Sequence, residues 1–375
     1  MKLEAIHIVS LDVPFPPDYG GMFDIYYKCR TFKELGIRVI LHCFEYGRGT
    51  NHDFTGIADE VHYYPRKKSI AALFSMTPFI VATRRSKALT ERLLADDLPI
   101  LIEGDHCAGL LEDRRFDKRL RILRVHNIEW KYYAALAGAT ASWLKKIFFL
   151  TESSKLRNFE SVCLRADLLL CVSKTELVYY RQRHAHAHFW EVNVDFDRIP
   201  ERQPETGNFA LFQGNLSVPE NQQAIRWILQ QWKEQKIEMP LVIAGKDPGS
   251  SFQAELDAHP FVKSVVSPGM AEMDHLIRTA AVNLLITFQA TGIKLKLIHA
   301  LFQGNRCIVN PEMVEGTSLA PYCEIVKDGK TLADALKSAA VATVPGKQER
   351  LDFLKSHFDN IANAREVIAL IEQQM

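Results

Sequence analysis

Two lysines, Lys294 and Lys296, follow Gly292 at the point where an apolar strand pattern over Val282–Phe288 gives way to a helical pattern. A strand-to-helix turn of this kind presents the free backbone N–H groups of a helix N-terminus, which carry partial positive charge. The stretch therefore predicts an anion site at Ala290–Lys294, formed by backbone amides with cationic side chains close by. The alternative is an ordinary strand–loop–helix connection with solvated lysines.

Three further glycine-bearing turns follow apolar strand patterns, at Asp18–Gly21, Gly214–Pro219 and Gly245–Gly249. Glycine at such a turn lets the backbone approach a ligand closely, although a tight connection needs glycine too. No GxGxxG follows the first strand, which argues against a dinucleotide cofactor, and no GxxxxGK[ST] is present. The turns are expected to open together into one cleft, at the carboxyl ends of the strands.

Strand and helix patterns alternate along the chain, which predicts an α/β protein with mainly parallel sheets covered on both faces. Polar residues with two prolines, Asp195–Asn208, interrupt the alternation and predict an interdomain linker. The stretch Gln348–Gln373 contains neither glycine nor proline and predicts one long amphipathic helix. The predicted domains are Rossmann-like units at 1–195 and 196–350, with a C-terminal helix at 351–375 packing back on the first.

The predicted strands are short apolar runs in both halves. In the first half they are Ala5–Leu11, Arg38–Phe44, Glu60–Tyr64, Pro99–Glu103, Arg121–His126, Leu168–Val172 and Phe189–Val194. In the second half they are Phe209–Gln213, Leu241–Ala244, Phe261–Val266, Val282–Phe288, Cys307–Val309 and Cys323–Val326.

Composition is that of a globular protein: 375 residues with 47% hydrophobic and 24% charged residues. The net charge of +1 gives no drive toward nucleic acid. Seven cysteines lie mostly in apolar runs and form no CxxC pair, which indicates buried thiols in a reducing, cytoplasmic compartment. The first residues follow a strand pattern rather than that of a signal peptide. No apolar run reaches the length of a membrane span.

An ordered set of motifs resembles glycosyltransferases of the GT-B fold, in the large retaining group called family 4 or group 1. Each motif is weak alone, but together they extend over most of the chain in the order of the family. They are Asp18–Gly21, Arg124–Glu129, Ala166–Glu176, Glu191–Asp195, Gly214–Leu216, Gly245–Pro248, Gly292–Lys296 and Asn310–Gly316.

The resemblance implies two Rossmann-like domains that face each other across a cleft. The implied activity is transfer of a hexosyl group from a UDP-, GDP- or ADP-sugar to a glycan or lipid-linked acceptor in polysaccharide biosynthesis, with retention of configuration. The nucleotide-sugar is then a co-substrate, and no cofactor and no metal are expected. Asp195-Phe196-Asp197 spells DxD, and we interpret it as part of the linker.

The resemblance also implies roles for individual residues. His126 would contact the sugar near the reacting carbon as the catalytic residue, although a histidine at a strand end is often structural. Gly20, Gly21 and Glu315 would hold the sugar or the ribose. The nucleotide and its diphosphate would be bound by Gly214, Asn215, Lys246, Thr291, Gly292, Ile293, Lys294, Lys296 and His299.

The chain departs from the family at two places. The family carries two glutamates eight positions apart, where this chain has Thr291 and His299. It also commonly carries an Arg and a Lys after the first strand of the second domain, where this chain offers Asn215 and Asn221. These departures leave two alternatives open: a catalytically weak nucleotide-sugar-binding subunit, and a nucleotide-sugar epimerase of the same fold.

Two basic stretches carry apolar residues of their own. Pro65–Lys68 and Arg84–Lys87 flank the apolar segment Ile70–Val81, and Trp143–Phe149 is a second such run. Basic residues around apolar side chains are typical of peripheral contact with an anionic membrane near a lipid-linked acceptor. The alternative is a pair of helices that cover their own sheet with solvated lysines.

Overall fold

The computed structural model describes residues 2–17, 20–45, 47–140, 142–195, 206–289, 292, 294–339 and 346–375, and these form two parallel β-sheets with helices on both faces. The strands bury nearly continuous apolar runs, as parallel strands covered on both sides do. Within the described residues, no helix combines the length and the apolar character needed to cross a membrane.

The first sheet has seven strands, in the spatial order β3-β2-β1-β4-β5-β6-β7. They are β1 (Ala5–Ser10), β2 (Arg38–Glu45), β3 (Glu60–Pro65), β4 (Ile100–Glu103), β5 (Arg121–Val125), β6 (Leu168–Cys171) and β7 (Ala187–Phe189). The helices are α1 (Gly20–Glu34), α2 (Ile70–Phe74), α3 (Phe79–Ala82), α4 (Lys87–Leu93), α5 (Glu129–Ala139), α6 (Trp143–Cys163) and α7 (Lys174–Arg181), with 3₁₀ turns at Asp105–Glu112 and Arg114–Phe116.

The second sheet has six strands, in the order β10-β9-β8-β11-β12-β13. They are β8 (Ala210–Asn215), β9 (Leu241–Lys246), β10 (Val262–Val266), β11 (Val282–Leu285), β12 (Arg306–Val309) and β13 (Glu324–Ile325). The helices are α8 (Pro219–Glu234), α9 (Ser250–Asp257), α10 (Met270–Thr279), α11 (Leu295–Gln303), α12 (Pro311–Val314), α13 (Gly329–Ala339), α14 (Lys347–His357) and α15 (Asn360–Gln374), with a 3₁₀ turn at Ala320–Tyr322.

Both sheets reverse their strand order beside the first strand, between β1 and β4 and between β8 and β11. Such switch points lie at the carboxyl ends of the strands, where ligands bind in doubly wound folds. In each domain the predicted glycine-bearing turns follow the central strands, so they lie at this edge of the sheet.

The C-terminal stretch forms two helices rather than the single helix that its pattern predicts. The break falls at Phe358 and Asp359, and the Asp359 carboxylate caps α15 by accepting from the Ala362 N–H at 2.9 Å. Helix α14 packs on the second domain through Leu354 and Phe358. Helix α15 packs in the core of the first domain through residues that include Ala364, Val367 and Ile371.

The last strand of the first domain is earlier and shorter than predicted, because β7 covers Ala187–Phe189 and ends before Val194. The N–H groups of residues 192–194 donate to side chains instead of to a neighbouring strand. The Asn193 N–H donates to Asp24 Oδ1 at 2.8 Å, and the Val194 N–H donates to Asn360 Oδ1 at 3.0 Å. The predicted linker lies outside the described residues from 196 to 205, as do Phe196 and Asp197 of the DxD sequence.

Candidate active site

The turn at Gly292, in the second domain, lies directly against the first domain. A Cβ atom added at Gly292 would overlap with Asn127 Oδ1 and would lie 3.6 Å from the His126 carbonyl oxygen. Gly292 also has a φ of +82°, in the left-handed region that favours glycine. Its N–H donates to Glu176 Oε1 at 3.1 Å, and Glu176 lies in the first turn of α7. Two segments of the first domain, His126–Asn127 and the start of α7, therefore meet the predicted anion turn at one point.

His126 follows β5 directly and is only 8% exposed. Its Nε2 pairs with Glu103 Oε2 at 2.9 Å, and Glu103 ends the neighbouring strand β4. A carboxylate partner holds the proton on Nε2, so Nδ1 is the ring nitrogen available to another group. The contact fixes the imidazole at the carboxyl edge of the first sheet.

Three fully buried charged side chains, Lys28, Asp24 and Arg124, form a network with Glu103. Lys28 Nζ lies 2.6 Å from Glu103 Oε1 and 3.0 Å from Asp24 Oδ2, and Arg124 Nε lies 3.2 Å from the same Asp24 oxygen. Burial alone would raise the pKa of Asp24 and of Glu103. The Arg124 and Lys28 charges hold the pKa of Asp24 below the ordinary carboxyl range, and Lys28 and the His126 hydrogen bond do the same for Glu103. Two carboxylates and two cations thus form a balanced buried network beside His126.

Asp24, Glu103 and His126 each place a potential metal-ligand atom within 4.8 Å of the others. The Lys28 ammonium already bonds both carboxylates, and Arg124 bonds Asp24. The cationic charge that these carboxylates require is therefore supplied by the chain, and we assign the trio to the positioning of His126.

Lys294 is buried at the N-cap position of α11, and its Nζ donates to the Gln289 carbonyl oxygen at 2.8 Å. Burial lowers the pKa of Lys294 to about 8, with Glu220 opposing the shift and Lys296 adding to it. Since the helix begins only at Leu295, the two lysines need not share a helix face to act on one ligand. Both lie in the field of Glu220, at the start of α8.

Lys296 is half-buried over the ring of Phe212, with Nζ 5.3 Å from the ring centroid and 3.5 Å from Asn221 Oδ1. Burial lowers its pKa below the ordinary lysine value. Asn221 in turn donates to the Asn215 carbonyl oxygen at 2.9 Å. This chain of contacts links α11 to the turn after β8, so the two predicted nucleotide-binding segments are adjacent.

The turns after β8 and β9 meet side by side, with Gly214 opposite Gly245 and Asn215 opposite Lys246 in the sheet register. A Cβ at Gly245 would overlap with the Gly214 carbonyl oxygen, so close backbone packing requires that glycine. Asn215 is exposed, and its Oδ1 accepts two hydrogen bonds within the turn, from the Ser217 N–H at 3.1 Å and from the Ser217 hydroxyl at 2.7 Å. Lys246 is exposed at the same edge.

Two of the predicted residues have other surroundings. His299 packs edge-on against Phe23 of α1, with 4.8 Å between ring centroids, so it joins the two domains through an aromatic contact. Glu315 is exposed at the end of α12, within electrostatic reach of Lys294.

Gly20 and Gly21 are the first two residues of α1 and are half-buried. Thr291 and Ile293 lie outside the described residues, as do Asp18 and Tyr19 ahead of α1.

Two carboxylates at this point were not among the predicted site residues. Glu176 accepts the Gly292 N–H, and burial raises its pKa. Glu129, the first residue of α5, receives Asn127 Nδ2 at 3.2 Å, and burial raises its pKa to about 7. The Ser173-x-x-Glu176 spacing is a capping-box signature, but it indicates a helix start and says nothing of a partner in the other domain.

No family model matches the chain. Among curated proteins, the chain is similar to an uncharacterized 44.6 kDa protein in the cps region of Klebsiella pneumoniae. The two are 24% identical over 335 residues, which make up 84% of this chain and 79% of that protein.

Several solved structures share the fold over nearly their whole length. HepE of Anabaena in complex with UDP superimposes with a TM-score of 0.67 at 11% identity, covering 100% of both chains. A trehalose-6-phosphate synthase gives 0.65 at 11% identity, and TarM gives 0.63 at 8% identity, each covering 99% of both chains. The chain therefore has the GT-B fold that its motifs predict, built from two parallel α/β domains.

Proposed function

We propose that this protein is a retaining glycosyltransferase that moves a hexosyl group from a nucleotide-sugar to a glycan or glycolipid acceptor, without a metal ion. The observation that carries the proposal is the contact of the Gly292 turn with His126 and Asn127. It puts the helix start that we expect to bind an anion next to the first-domain segment that carries His126, whose imidazole is held by Glu103. The fold supports the same assignment, since relatives with this fold include HepE, whose structure contains UDP.

The nucleoside diphosphate would lie at the start of α11. Backbone N–H groups there and the partial charge of the helix favour an anion. Lys294 and Lys296 add cationic charge in a partly desolvated setting, where an ion pair is stronger than in water. Because these groups are fixed by the fold, they would stabilise the charge that develops on the leaving diphosphate.

His126 would contact the transferred sugar through the ring nitrogen that Glu103 leaves available. The buried network behind Glu103 restricts the imidazole to one orientation, as a group near a reacting carbon requires. We expect retention of the anomeric configuration, with the acceptor attacking from the face that the diphosphate leaves. Glu129 and Glu176, with their raised pKa values, would lie within reach of this region as proton-holding groups.

A catalytically weak nucleotide-sugar-binding subunit is the second candidate. It is favoured by His299, which packs on Phe23 at the position where the family has a ribose-binding carboxylate. An epimerase of the same fold is a third candidate, to which the carboxylates Glu129 and Glu176 are relevant. Under each of these candidates the nucleotide-sugar is the ligand, and the protein is cytoplasmic.

The test is a thermal-unfolding series with UDP-, GDP- and ADP-sugars, because a ligand of the folded state stabilises it by about 2.7 kcal/mol at a hundredfold excess over Kd. A rise in midpoint with one base identifies the donor, whereas no shift with any sugar nucleotide would refute the proposed function. The stabilising sugar nucleotide is then incubated with the protein and followed by NMR. Slow hydrolysis that first releases the sugar in the anomeric configuration of the donor supports a retaining transferase, an epimerised sugar supports the third candidate, and no turnover supports the binding subunit.

A further inference from the structure

Exposed large hydrophobic side chains are concentrated on one part of the first domain. Of fourteen such side chains among the described residues, eight lie on two segments, and the other six are scattered. Monomeric proteins rarely expose connected apolar surface of this kind without a binding role. The eight are Ile70, Leu73, Phe74, Met76, Trp143, Leu144, Ile147 and Leu150.

The two segments pack side by side and form one surface, which we call the apolar patch. Lys155 Nζ, on α6, donates to the Leu73 carbonyl oxygen of α2 at 2.9 Å. The rings of Phe79 and Phe148 meet edge-on with centroids 6.2 Å apart. On α6 the exposed Trp143, Ile147 and Leu150 recur at helical spacing and share one face. They are 68%, 55% and 51% exposed, so this face has no cover from the described residues.

The exposed charge around the apolar patch is mainly basic, and Glu152 of α6, beside the patch, is buried and paired with Lys155. Residues 61–90 contain six lysines and arginines and no aspartate or glutamate, and residues 130–151 contain three lysines and no acidic residue. Four of these lysines are exposed at the patch itself. Lys67 and Lys68 precede α2, and Lys145 and Lys146 lie between the exposed Leu144 and Ile147. An apolar surface with exposed lysines around it is complementary to an anionic lipid surface, where the lysines meet headgroups and the apolar side chains enter the boundary.

The apolar patch is also placed next to the cleft. Helix α5 starts three residues after His126 and contacts α8 of the second domain. Helices α5 and α6 run antiparallel, since Tyr133 meets Phe149 at 5.9 Å and Ser153 Oγ donates to the Trp130 carbonyl oxygen at 2.7 Å. Trp143 therefore lies near the far end of α5, which is about 16 Å long for its 11 residues.

We propose that the apolar patch docks the protein on an anionic membrane, with the exposed apolar side chains of α2 and α6 inserted and the four lysines at the headgroups. Docking holds the mouth of the cleft at the lipid surface. If the proposed transferase function is correct, the acceptor is lipid-linked, with its headgroup reaching His126 from the membrane. The docking itself does not depend on that function.

The test is co-sedimentation of the full chain with vesicles of phosphatidylcholine alone and of phosphatidylcholine mixed with phosphatidylglycerol. We expect binding to the anionic vesicles that weakens as salt is raised, because exposed charge interactions are screened. Lys145→Gln with Lys146→Gln should lower the partition coefficient by about fivefold for each lysine removed. Trp143→Ser with Ile147→Ser should lower it by about tenfold or more for each inserted side chain.

Matched controls are Val178→Ser with Ile325→Ser, which remove exposed apolar side chains elsewhere, and Lys330→Gln with Lys337→Gln on α13. These should bind vesicles as the parent does. Thermal shifts with the sugar nucleotide should be the same in every variant, so a failure of docking is separable from a failure of donor binding. Equal binding to both vesicle types, no binding to either, or a dimer in sedimentation velocity that Trp143→Ser with Ile147→Ser dissociates would overturn the proposal.

Discussion

Replacement of Gly292 by alanine tests whether contact between the domains builds the anion site. Two separate costs follow from the structure. Alanine at a φ of +82° carries left-handed strain of roughly 1–2 kcal/mol. Its Cβ would also overlap with Asn127 Oδ1, so the Asn127 side chain must rotate and lose its 3.2 Å hydrogen bond to Glu129, at a cost of about 1 kcal/mol.

The chain offers a matched control at Gly36. This glycine has a similar φ of +80°, but an added Cβ would have no neighbour within 4 Å. Gly36→Ala therefore carries only the backbone strain, whereas Gly292→Ala carries the strain and the overlap. In the ligand-free variant the turn can relax away from Asn127, and binding of the nucleotide must restore it. The overlap cost of about 1 kcal/mol then appears as a rise of about fivefold in Kd.

The measurement is isothermal titration of the sugar nucleotide that stabilises the parent protein. Gly36→Ala should keep the parental Kd while lowering the thermal midpoint. Asn127→Ala removes the atom that an alanine at 292 would meet, so combining it with Gly292→Ala should recover the Kd of Asn127→Ala alone. An unchanged Kd in Gly292→Ala, or a double variant no better than Gly292→Ala, would refute the interdomain account of this turn.

Three further outcomes are expected. Lys296→Ala should weaken nucleotide binding by about tenfold, because a desolvated cation is lost, whereas the control Lys330→Ala should leave the Kd unchanged. An unchanged Kd for Lys296→Ala would remove this lysine from the site. Nucleotide affinity should be constant below pH 8 and fall as the pH rises through 8, because the pKa of Lys294 in the free protein is about 8 and only its protonated form attracts phosphate. Lys294→Met should abolish this pH dependence. A pH dependence that survives the substitution would mean that another group causes it. Asp24 and Glu103 have pKa values held below their unfolded values, so their contribution to stability is complete above about pH 5 and is lost progressively as the pH falls below it. Asp24→Asn should destabilise by roughly 3–5 kcal/mol at pH 7 and flatten the acid limb of the urea-midpoint profile, while a parental profile would contradict the network.

Local sequence patterns predicted most of the fold. Nearly continuous apolar strands that alternate with helices require parallel sheets, and glycine-bearing turns after the strands mark the edge where ligands bind. The predictions that were wrong were also local. The pattern at Gln348–Gln373 does not show that Asp359 caps a new helix, and the apolar residues up to Val194 do not show that their N–H groups bond side chains.

What the sequence determined by itself is the architecture and the position of the strand-to-helix turn at Gly292, because periodicity and turn chemistry depend on neighbours along the chain. What only the tertiary structure decided is the set of partners. Glu176 and Gly292 are separated by 116 positions, and Asp24 and Arg124 by 100, and each pair meets only when sheet register and domain contact are in place. Buried charges and interdomain contacts leave no periodic signal, since one residue at one position suffices for each. The turn at Gly292 was therefore visible in the sequence, whereas its contacts with His126, Asn127 and Glu176 were not.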